Sequence, residues 1–468
     1  MNWVNGQAIR GSEKLIDVKD KYSGDIIESV NFLNEEETES CVNSSVKAFE
    51  AYRNFSVGQK GRLLENLIAV FEKEQEGFIR LIVKEAGKPV SYAKGEVSRC
   101  IATMKTGLRE LYANSGEVVN MDFGAGSGKT AFTKRFPIGP VLAISPFNFP
   151  LNLALHKIIP ALVAGCSIVI KPSPYAPLST LRFAQLVSVA GYPPGVVNAI
   201  LCSNNLSEKL VKDEQFKLLS FTGSAEIGWM LKSKAGKKKV TLELGGDAAV
   251  YIHADADLDL AAKLTAIGAF LYAGQICIST QRVIVHQDVY DTFKEKFLIE
   301  VENLKSGNPF FESVSIGPLI DKVHFERVIS WINEAQNNGA KTLTKQDHIS
   351  AANIIQATVL EDVSKNSIIS NEEVFGPVCY LVKVENETAA FDRINDSKYG
   401  LQAGIFTNDL RISMHSFQSL EVGAVIINNV PGFRMDNMPY GGVKDSGIGR
   451  EGLKYAIEDM TEMRLMVF

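Results

Sequence analysis

Strand-length apolar runs alternate with helical stretches from residue 139 onward, and this alternation constrains the fold more than any other feature of the chain. A strand, a crossover helix and a second strand form a parallel pair, so the pattern predicts a parallel sheet with helices on its faces. The run at 167–170 (Ser-Ile-Val-Ile) is almost continuously apolar, which is typical of a strand covered on both faces. We therefore predict an α/β fold.

Two α/β halves follow from the same pattern. The predicted strands of the first half cover 140–144, 167–171, 196–201, 218–221, 240–244 and 248–252. The helices between them cover 152–164, 178–190, 207–212 and 225–234. The second half opens with a helix at 258–273, a strand at 282–286 and a helix at 288–304, and the alternation continues to about 430. A boundary between the halves is expected near 246–255.

The remaining segments have different textures. Residues 35–115 are polar and helical, with Leu63, Leu67 and Phe71 among the apolar residues that recur at helical spacing. The runs 117–123 and 130–136 flank a Gly-rich patch and predict a hairpin. The strand-like segment 460–468 could pair with that hairpin and form a small third unit.

Composition excludes several classes of protein. Of 468 residues, 46% are hydrophobic and 22% charged, and the net charge is −5, so the chain is neither disordered nor basic enough to indicate a nucleic-acid or anionic-membrane partner. The N-terminus lacks a secretory pattern, and the most apolar stretch is too short to span a membrane. Six cysteines form no CxxC pair and no cluster with histidines, so we expect no metal site and a cytoplasmic location.

Two glycine-rich motifs resemble nucleotide-binding sequences, but their contexts argue against that reading. The patch at 124–130 (Gly-Ala-Gly-Ser-Gly-Lys-Thr) has Phe123 where a P-loop requires glycine. The segment 447–452 matches GxGxxG, yet only 16 residues follow it, too few for the βαβ unit of a dinucleotide site. We expect a loop or turn at both.

Cys277 and Glu243 are the candidate chemical groups. Cys277 lies between an apolar helix and a strand, beside Gly274, and is either a nucleophile or a small buried hydrophobe. Glu243 ends an apolar strand before Gly-Gly and is either a general base or a buried carboxylate paired with one of the lysines at 237–239.

Polar motifs follow three further strands of the predicted sheet. They are Pro146-Phe-Asn-Phe-Pro150 after the strand that ends at Ile144, Lys171-Pro-Ser173, and Phe221-Thr-Gly-Ser224. The carboxyl ends of parallel strands share one edge, where a nucleotide binds, and the helix start after Ser224 favours a phosphate.

Seven motifs in this order resemble the NAD(P)-dependent aldehyde dehydrogenase superfamily over nearly the whole chain. They are Pro146-Phe-Asn-Phe-Pro150, Lys171-Pro-Ser173, Phe221-Thr-Gly-Ser224, Glu243-Leu-Gly-Gly246, Gly274-Gln-Ile-Cys277, Glu372-Glu-Val-Phe-Gly-Pro377 and Pro439-Tyr-Gly-Gly-Val-Lys-Asp-Ser-Gly447.

The resemblance implies a role for each matching residue. Cys277 matches the nucleophile, Glu243 the general base, and Asn148 the side-chain half of an oxyanion hole whose other half is the backbone N–H of Cys277. The positions implied to bind NAD or NADP are Ile144, Pro146, Phe147, Lys171, Ser173, Gly223, Ser224, Glu373 and Phe375. Arg99 and His156 match positions that meet the substrate tail, although Arg99 could instead be a solvated helix charge.

The implied reaction oxidises an aldehyde to a carboxylic acid through a cysteine thiohemiacetal and thioester. A relative that acylates CoA is an alternative that Glu243 argues against, and a non-catalytic binding protein is a second. The chain is most similar to the branch of lactaldehyde dehydrogenases and non-phosphorylating glyceraldehyde-3-phosphate dehydrogenases, which implies a short hydroxy- or anionic aldehyde. Ile276 stands where some phosphate-aldehyde enzymes carry an arginine, which weakens the case for a phosphate substrate. Pro174 replaces a glutamate that is common in NAD-selective relatives, so the use of both cofactors is expected.

The resemblance also implies the domain organisation. Residues 1–116 and 137–246 would form a doubly wound cofactor domain, 247–436 an α/β catalytic domain, and 437–452 a return segment to the cofactor domain. Residues 117–136 and 453–468 would supply an oligomerisation hairpin and strand, so a homodimer or homotetramer is expected.

Overall fold

A computed structural model describes residues 1–113 and 116–468. The last two positions of the predicted helical stretch 35–115 lie outside the described residues. The described strands, β1 to β22 in chain order, are Asn2–Val4, Gln7–Ile9, Leu15–Lys19, Ile26–Asn31, Val118–Val119, Ala131–Pro137, Val141–Ile144, Ile168–Lys171, Val197–Ala199, Leu218–Thr222, Lys239–Glu243, Ala249–Ile252, Arg282–His286, Lys341–Thr342, Thr358–Glu361, Val378–Val384, Tyr399–Gly400, Gln402–Phe406, Ala424–Ile427, Val443–Lys444, Gly447–Ile448 and Thr461–Val467.

The α-helices of the described part are numbered α1 to α15 in the same way. They are Glu35–Tyr52, Val57–Lys73, Gln75–Ala86, Val90–Ala113, Asn152–Ala164, Leu178–Val189, Asn204–Lys212, Ala225–Lys234, Leu258–Phe270, Tyr290–Glu302, Lys322–Asn337, Ile368–Asn371, Glu387–Asn395, Leu410–Ser419 and Leu453–Asp459.

The first sheet has the order β2-β1-β9-β8-β7-β10-β11-β21, and its five central strands are parallel. The chain runs outward from β7 through β8 to β9, then crosses to β10 and β11 on the other side. The strand order therefore reverses between β7 and β10, and a crevice opens there at the carboxyl ends of the strands. Helices α5 and α6 pack on one face and α7 and α8 on the other.

Alternate residues of each central strand enter different hydrophobic cores. Val141 and Ala143 belong to the core shared with α5 and α6, whereas Leu142 packs with α7 and α8. The sequence prediction of strands covered on both faces is confirmed.

The second sheet has the order β14-β15-β16-β13-β12-β18-β19 and is parallel except for β14. It is likewise covered on two sides, because Val250 and Tyr251 of β12 enter different cores. The third sheet, β22-β6-β5, contains the pairing expected between 460–468 and the hairpin, with Thr461 opposite Pro137 and Val467 opposite Ala131.

Four features differ from the sequence prediction. The strand predicted at 248–252 in the first half is β12, which lies in the second sheet between β13 and β18. The predicted helix 258–273 ends at Phe270, because Tyr272 and Ala273 adopt left-handed φ angles of 50° and 54° that turn the chain. The segment 447–452 is not only a turn, since β21 extends the first sheet beside β11. Strands β1 and β2, in an N-terminal segment for which no strand was predicted, join that sheet through the pairing of β1 with β9, whereas β3 and β4 form a separate two-stranded sheet.

None of the helices in the described ranges is long and apolar enough to cross a membrane. Across residues 1–113 and 116–468, no three His, Cys, Asp or Glu side chains are grouped so that they could hold a metal ion.

Candidate active site

A cavity of about 730 Å³ occupies the crevice at the carboxyl ends of the first sheet and extends to the chain that follows α9. The predicted residues that line it are Ile144, Pro146, Phe147, Asn148, Lys171, Ser173, Gly223, Ser224, Glu243, Cys277, Glu373 and Phe375. Ile144, Lys171 and Glu243 each end a parallel strand, so the sheet itself brings them to one edge.

Cys277 is the one cysteine that is not fully buried among six free thiols in the full chain. The left-handed turn after α9 delivers it to the cavity, and Gly274 is needed there because a Cβ would overlap the carbonyl oxygen of Gly376. Burial raises the pKa of the thiol to about 12, while a hydrogen bond to Tyr440 and the charge of Arg434 oppose that rise. A thiolate at this position would therefore need stabilisation from its surroundings.

Asn148 lies beside Cys277 and is held rigidly. Its Nδ2 donates to the carbonyl of Gln275 at 3.0 Å, and its Oδ1 accepts from the backbone N–H of Phe149 at 3.1 Å. One amide hydrogen is left for a ligand. Among the described residues, nothing accepts the backbone N–H of Cys277, so two donors remain for a developing oxyanion.

Glu243 is 3% exposed, and neither of its carboxylate oxygens has a hydrogen-bond partner among the described residues. Burial, followed by the negative charge of Glu451, raises the pKa of this carboxyl well above its usual range. The nearby lysine at the start of the strand, Lys239, pairs with Glu462 at 2.9 Å instead. Glu243 is thus not the paired structural carboxylate that the sequence left open.

Lys171 supplies a cation at the deep end of the crevice. Its side chain is buried, burial lowers its pKa, and its ammonium group makes no ion pair or hydrogen bond to the rest of the described chain. Ser224 is the N-cap residue of α8, whose first-turn amides face an anion-binding position. A buried ammonium without a protein partner, together with a helix N-terminus at the point where the strand order reverses, fits a dinucleotide.

Aromatic rings and a carboxylate form the rim of the same crevice. The rings of Phe147 and Phe375 meet edge to face at 5.8 Å, and Tyr175 packs against Phe147 at 5.9 Å. Glu373 accepts a hydrogen bond from the N–H of Gly246 at 3.0 Å, and burial raises its pKa to about 8. The aromatic rings can pack against a nicotinamide, and the Glu373 carboxylate can bind ribose hydroxyls.

Arg99 and His156 do not line the cavity. Both contact Asp436, with Arg99 Nη2 at 2.7 Å and His156 Nε2 at 2.9 Å from the same carboxylate oxygen. Arg99 is therefore not the solvated helix charge that was the alternative. His156 lies close enough to Arg434, which does line the cavity, for that charge to lower its pKa in addition to burial.

Comparison with known proteins identifies the family. The model of the aldehyde dehydrogenase family matches residues 4–466. This chain belongs to the aldehyde dehydrogenase family.

Three relatives show that nearly the whole length of this aldehyde dehydrogenase aligns with known proteins. It is 38% identical over 467 residues to the 3-sulfolactaldehyde dehydrogenase of Priestia aryabhattai, covering 99% of this chain and 97% of that protein. It is 37% identical over 472 residues to the lactaldehyde dehydrogenase of Methanococcus aeolicus, covering 99% of each. The crystal structure of glyceraldehyde-3-phosphate dehydrogenase from Methanocaldococcus jannaschii complexed with NADP matches with a TM-score of 0.92 and 36% identity, over 98% of this chain and 99% of that one.

The resemblance drawn from the seven motifs is thus confirmed in family, fold and class of reaction. The chain is an NAD(P)-dependent aldehyde dehydrogenase and uses NAD or NADP. The alternative of a non-catalytic binding protein is not supported.

Four residues of this aldehyde dehydrogenase site escaped the sequence analysis. Arg434 Nη2 pairs with Glu451 at 3.0 Å, and Glu451 pairs with Lys157 Nζ at 2.9 Å. These two cations outweigh burial and lower the pKa of Glu451 to about 2. Tyr440 lies under Arg434 and reaches Cys277. Sequence position offered a signal for three of them: Tyr440 directly follows Pro439 in the last motif, Arg434 lies five residues before that proline, and Glu451 lies in the GxGxxG segment 447–452.

Proposed function

We propose that this aldehyde dehydrogenase oxidises a short 2-hydroxyaldehyde, such as lactaldehyde or an anionic analogue of it, to the carboxylic acid through a thioester on Cys277. The observation that supports this most directly is the meeting of Cys277, Asn148 and Glu243 at one end of a crevice with the features of a dinucleotide site. Lys171, Ser224, Glu373 and the other cofactor positions given by the sequence would hold NAD or NADP.

The first half of the reaction is nucleophilic addition. The Cys277 thiolate attacks the aldehyde carbon, and the carbonyl oxygen becomes an oxyanion. The free N–H of Asn148 and the backbone N–H of Cys277 donate to it, and one such donor contributes about 2.7–4 kcal/mol to the barrier reduction. NAD(P) held by Lys171, Ser224 and Glu373 would supply the hydride acceptor, and loss of the hydride would leave the substrate carbon as a thioester on Cys277.

The second half is hydrolysis. The carboxylate of Glu243 removes a proton from a water molecule, whose oxygen attacks the thioester carbon. The carbon–sulfur bond then breaks, Cys277 is restored as a thiolate and the carboxylic acid departs. We propose water rather than CoA as the acyl acceptor because Glu243 is present and unpaired beside the cavity.

The charges around the substrate end support a small, hydroxylated substrate with a neutral or singly anionic tail. The names of the three relatives specify aldehydes that share a 2-hydroxypropanal skeleton and differ at the third carbon. Burial lowers the pKa of His156 and raises that of Glu243, so it disfavours the charged form of each group. The ion-paired side chains near these two groups are Arg99, Lys157, Arg434, Asp436 and Glu451, and Arg450 adds a further cation near Glu243, so positive charges outnumber negative ones there.

A panel of aldehydes with both cofactors tests this proposal. We expect lactaldehyde or 3-sulfolactaldehyde to give a kcat/KM at least tenfold above that of propanal, measured as absorbance at 340 nm. Equal or higher activity with propanal would contradict the substrate assignment.

Cys277→Ala should abolish NAD(P)H formation while cofactor binding persists, and the other five Cys→Ala variants should remain active. Detection of acyl-CoA when CoA is added would favour the acylating alternative.

We also propose a domain organisation, an oligomeric state and a cellular location. The first sheet, from 1–116 and 137–246, would form the cofactor domain, 247–436 the catalytic domain and 437–452 the return segment. The units 117–136 and 453–468 would join copies of the chain into a homodimer or homotetramer, because their sheet leaves apolar residues of β22 exposed. A cytoplasmic location is supported by the six unpaired thiols.

A further inference from the structure

The hydroxyl of Tyr440 lies 3.2 Å from Sγ of Cys277. Tyr440 is 3% exposed, and Sγ is the only hydrogen-bond partner that the described residues offer to its hydroxyl. A buried phenol hydroxyl normally has a partner, and phenylalanine would fill the same volume without one. The hydroxyl group is therefore what tyrosine adds over phenylalanine at position 440, and its contact is with the Cys277 thiol.

The backbone of Tyr440 is fixed from both sides. Its N–H donates to the carbonyl of Glu451 at 3.0 Å, and its carbonyl accepts the N–H of Glu451 at 2.6 Å. Glu451 is itself anchored by ion pairs with Lys157 and Arg434. The hydroxyl is consequently presented to Cys277 by a rigid frame rather than by a mobile loop.

The guanidinium of Arg434 lies over the ring of Tyr440, with Cζ 3.6 Å from the ring centroid. A cation on the ring face draws electron density from the phenol and makes its O–H a stronger donor. Burial nevertheless raises the pKa of Tyr440 well above its usual range, so the phenol keeps its proton and can donate it in a hydrogen bond.

The charged groups that face Cys277 do not replace the hydrogen bond between Tyr440 and Sγ. Among the described residues they are Glu243 at the end of β11, Glu373 before Phe375, and Arg434. The two glutamates disfavour a thiolate, and Arg434 favours one without a hydrogen bond to the sulfur. Tyr440 is the hydrogen-bond donor that the described chain places on Sγ.

We propose that Tyr440 is a further catalytic residue, which donates its hydroxyl hydrogen bond to the Cys277 thiolate and is strengthened as a donor by Arg434. The proposal rests on the proposed role of Cys277 as the nucleophile. On ionisation the thiol proton passes to solvent, and Tyr440 retains its own proton. As sulfur bonds to the aldehyde carbon, its charge passes to the carbonyl oxygen and the bond from Tyr440 weakens.

Alkylation of the full enzyme by iodoacetamide at pH 7, followed by peptide mass analysis of Cys277, measures the effect. A hydrogen bond to a charged group corresponds to a roughly ten- to hundredfold change in the thiolate fraction. Because a more basic thiolate is also more nucleophilic, with a Brønsted slope of about 0.4–0.5, the net loss of rate is smaller. We expect Tyr440→Phe to slow alkylation of Cys277 by roughly three- to tenfold.

Incorporation of 3-fluorotyrosine at position 440 separates hydrogen-bond donation from packing. The fluorinated phenol is more acidic at nearly the same size, so alkylation should be faster than in the wild type, and the rates should rise in the order Phe, Tyr, fluorotyrosine. Tyr251→Phe is the matched control, since Tyr251 is fully buried with an unpaired hydroxyl in the second sheet and should leave the rate unchanged.

Two results would overturn the proposal: a wild-type alkylation rate in Tyr440→Phe, or a fluorotyrosine variant as slow as the Phe variant. The fluorotyrosine arm stands even if Tyr440→Phe folds poorly. Alkylation reports on the thiol without an aldehyde. Failure of the proposed function, seen as turnover by Cys277→Ala, is therefore distinguishable from failure of this inference.

Discussion

Glu243 illustrates at the scale of one residue how burial sets a reaction's dependence on pH. The carboxyl must be ionised to act as a base, yet burial and the charge of Glu451 raise its pKa well above the usual range. Arg434 and Lys157 only partly oppose that rise. Because the acid form persists to higher pH, the ionised fraction of Glu243 increases as pH rises through its pKa. Thioester hydrolysis should therefore accelerate toward alkaline pH.

Glu243→Gln should remove this dependence and expose the intermediate. We expect a burst of NAD(P)H near one per active site, followed by a steady state slowed by at least a hundredfold, on the order of the contribution of a positioned general base. Stopped-flow absorbance measures the burst, and intact-mass analysis after quenching detects the acyl enzyme. If Glu243→Gln turned over at the wild-type rate without an acyl adduct, the general-base role would be wrong.

Position 174 should tune the choice of cofactor. Lys171, Ser173 and Pro174 line the same part of the cavity, and Lys171 has no partner among the described residues. The wild type should use both cofactors, with NAD modestly favoured and kcat/KM values within about 1000-fold, which corresponds to ~4 kcal/mol. Pro174→Glu adds a charge that repels a 2′-phosphate, so NADP use should fall at least about tenfold relative to NAD.

Pro174→Gln controls for the loss of proline in that experiment. It has nearly the same shape as glutamate without the charge, so its NADP-to-NAD ratio should stay near that of the wild type. Equal ratios in the Glu and Gln variants, or a wild-type ratio beyond 1000, would mean that another residue determines the choice.

At the scale of secondary-structure elements, a buried ion pair joins helix α4 to the segment that carries Asn148. Glu96 of α4 pairs with Lys88, and both side chains are fully buried. Glu96 also accepts the N–H groups of Leu151 and Asn152 at the start of α5, directly after the turn that carries Asn148. Removing one charge strands the other in a dry environment.

Glu96→Gln should destabilise the enzyme more than the double variant Lys88→Met with Glu96→Gln. Breaking a buried pair costs about 3–5 kcal/mol, which for a chain of this length corresponds to a fall in apparent Tm of about 3–5 °C. Thermal scans at one fixed rate measure the shift. Lys94→Met, which removes an exposed pair with Glu312, is the control and should change Tm by less than about 1 °C. A double variant as unstable as Glu96→Gln would contradict the argument.

The elements also show which parts of the fold and site the sequence could predict. Strands such as β8 were predictable because a short, continuous apolar run by itself indicates a strand that is buried on both faces. Residues ending those strands were predictable from the parallel topology and the family motifs. The early end of α9 was not, because Tyr272 leaves the helix to reach the carbonyl of Ala86 at 2.5 Å, 186 residues away in the chain. The contact of Tyr440 with Cys277 spans 163 residues and depends on the same long-range packing.

At the scale of the whole molecule, two apolar surfaces of the described chain remain exposed. Among the described strands β22 pairs only with β6, and Met463 and Leu465 on it are 51% and 56% exposed. Strand β19 is the edge of the second sheet, and α14 beside it exposes Leu410, Met414 and Phe417, which lie on one helical face. An unpaired edge and an apolar helix face are liabilities in a monomer.

We expect the enzyme to be at least a homodimer in which β22 of each copy covers the β19 edge and the α14 face of the other. Such a reciprocal contact buries both surfaces and closes with two-fold symmetry. Light scattering at micromolar concentration should give a multiple of 51.3 kDa. Leu465→Glu places a charge in that contact and should shift the mass toward 51.3 kDa. Tyr112→Glu, at a 57% exposed position on α4, should not. A wild-type protein of monodisperse mass near 51.3 kDa would refute the dimer.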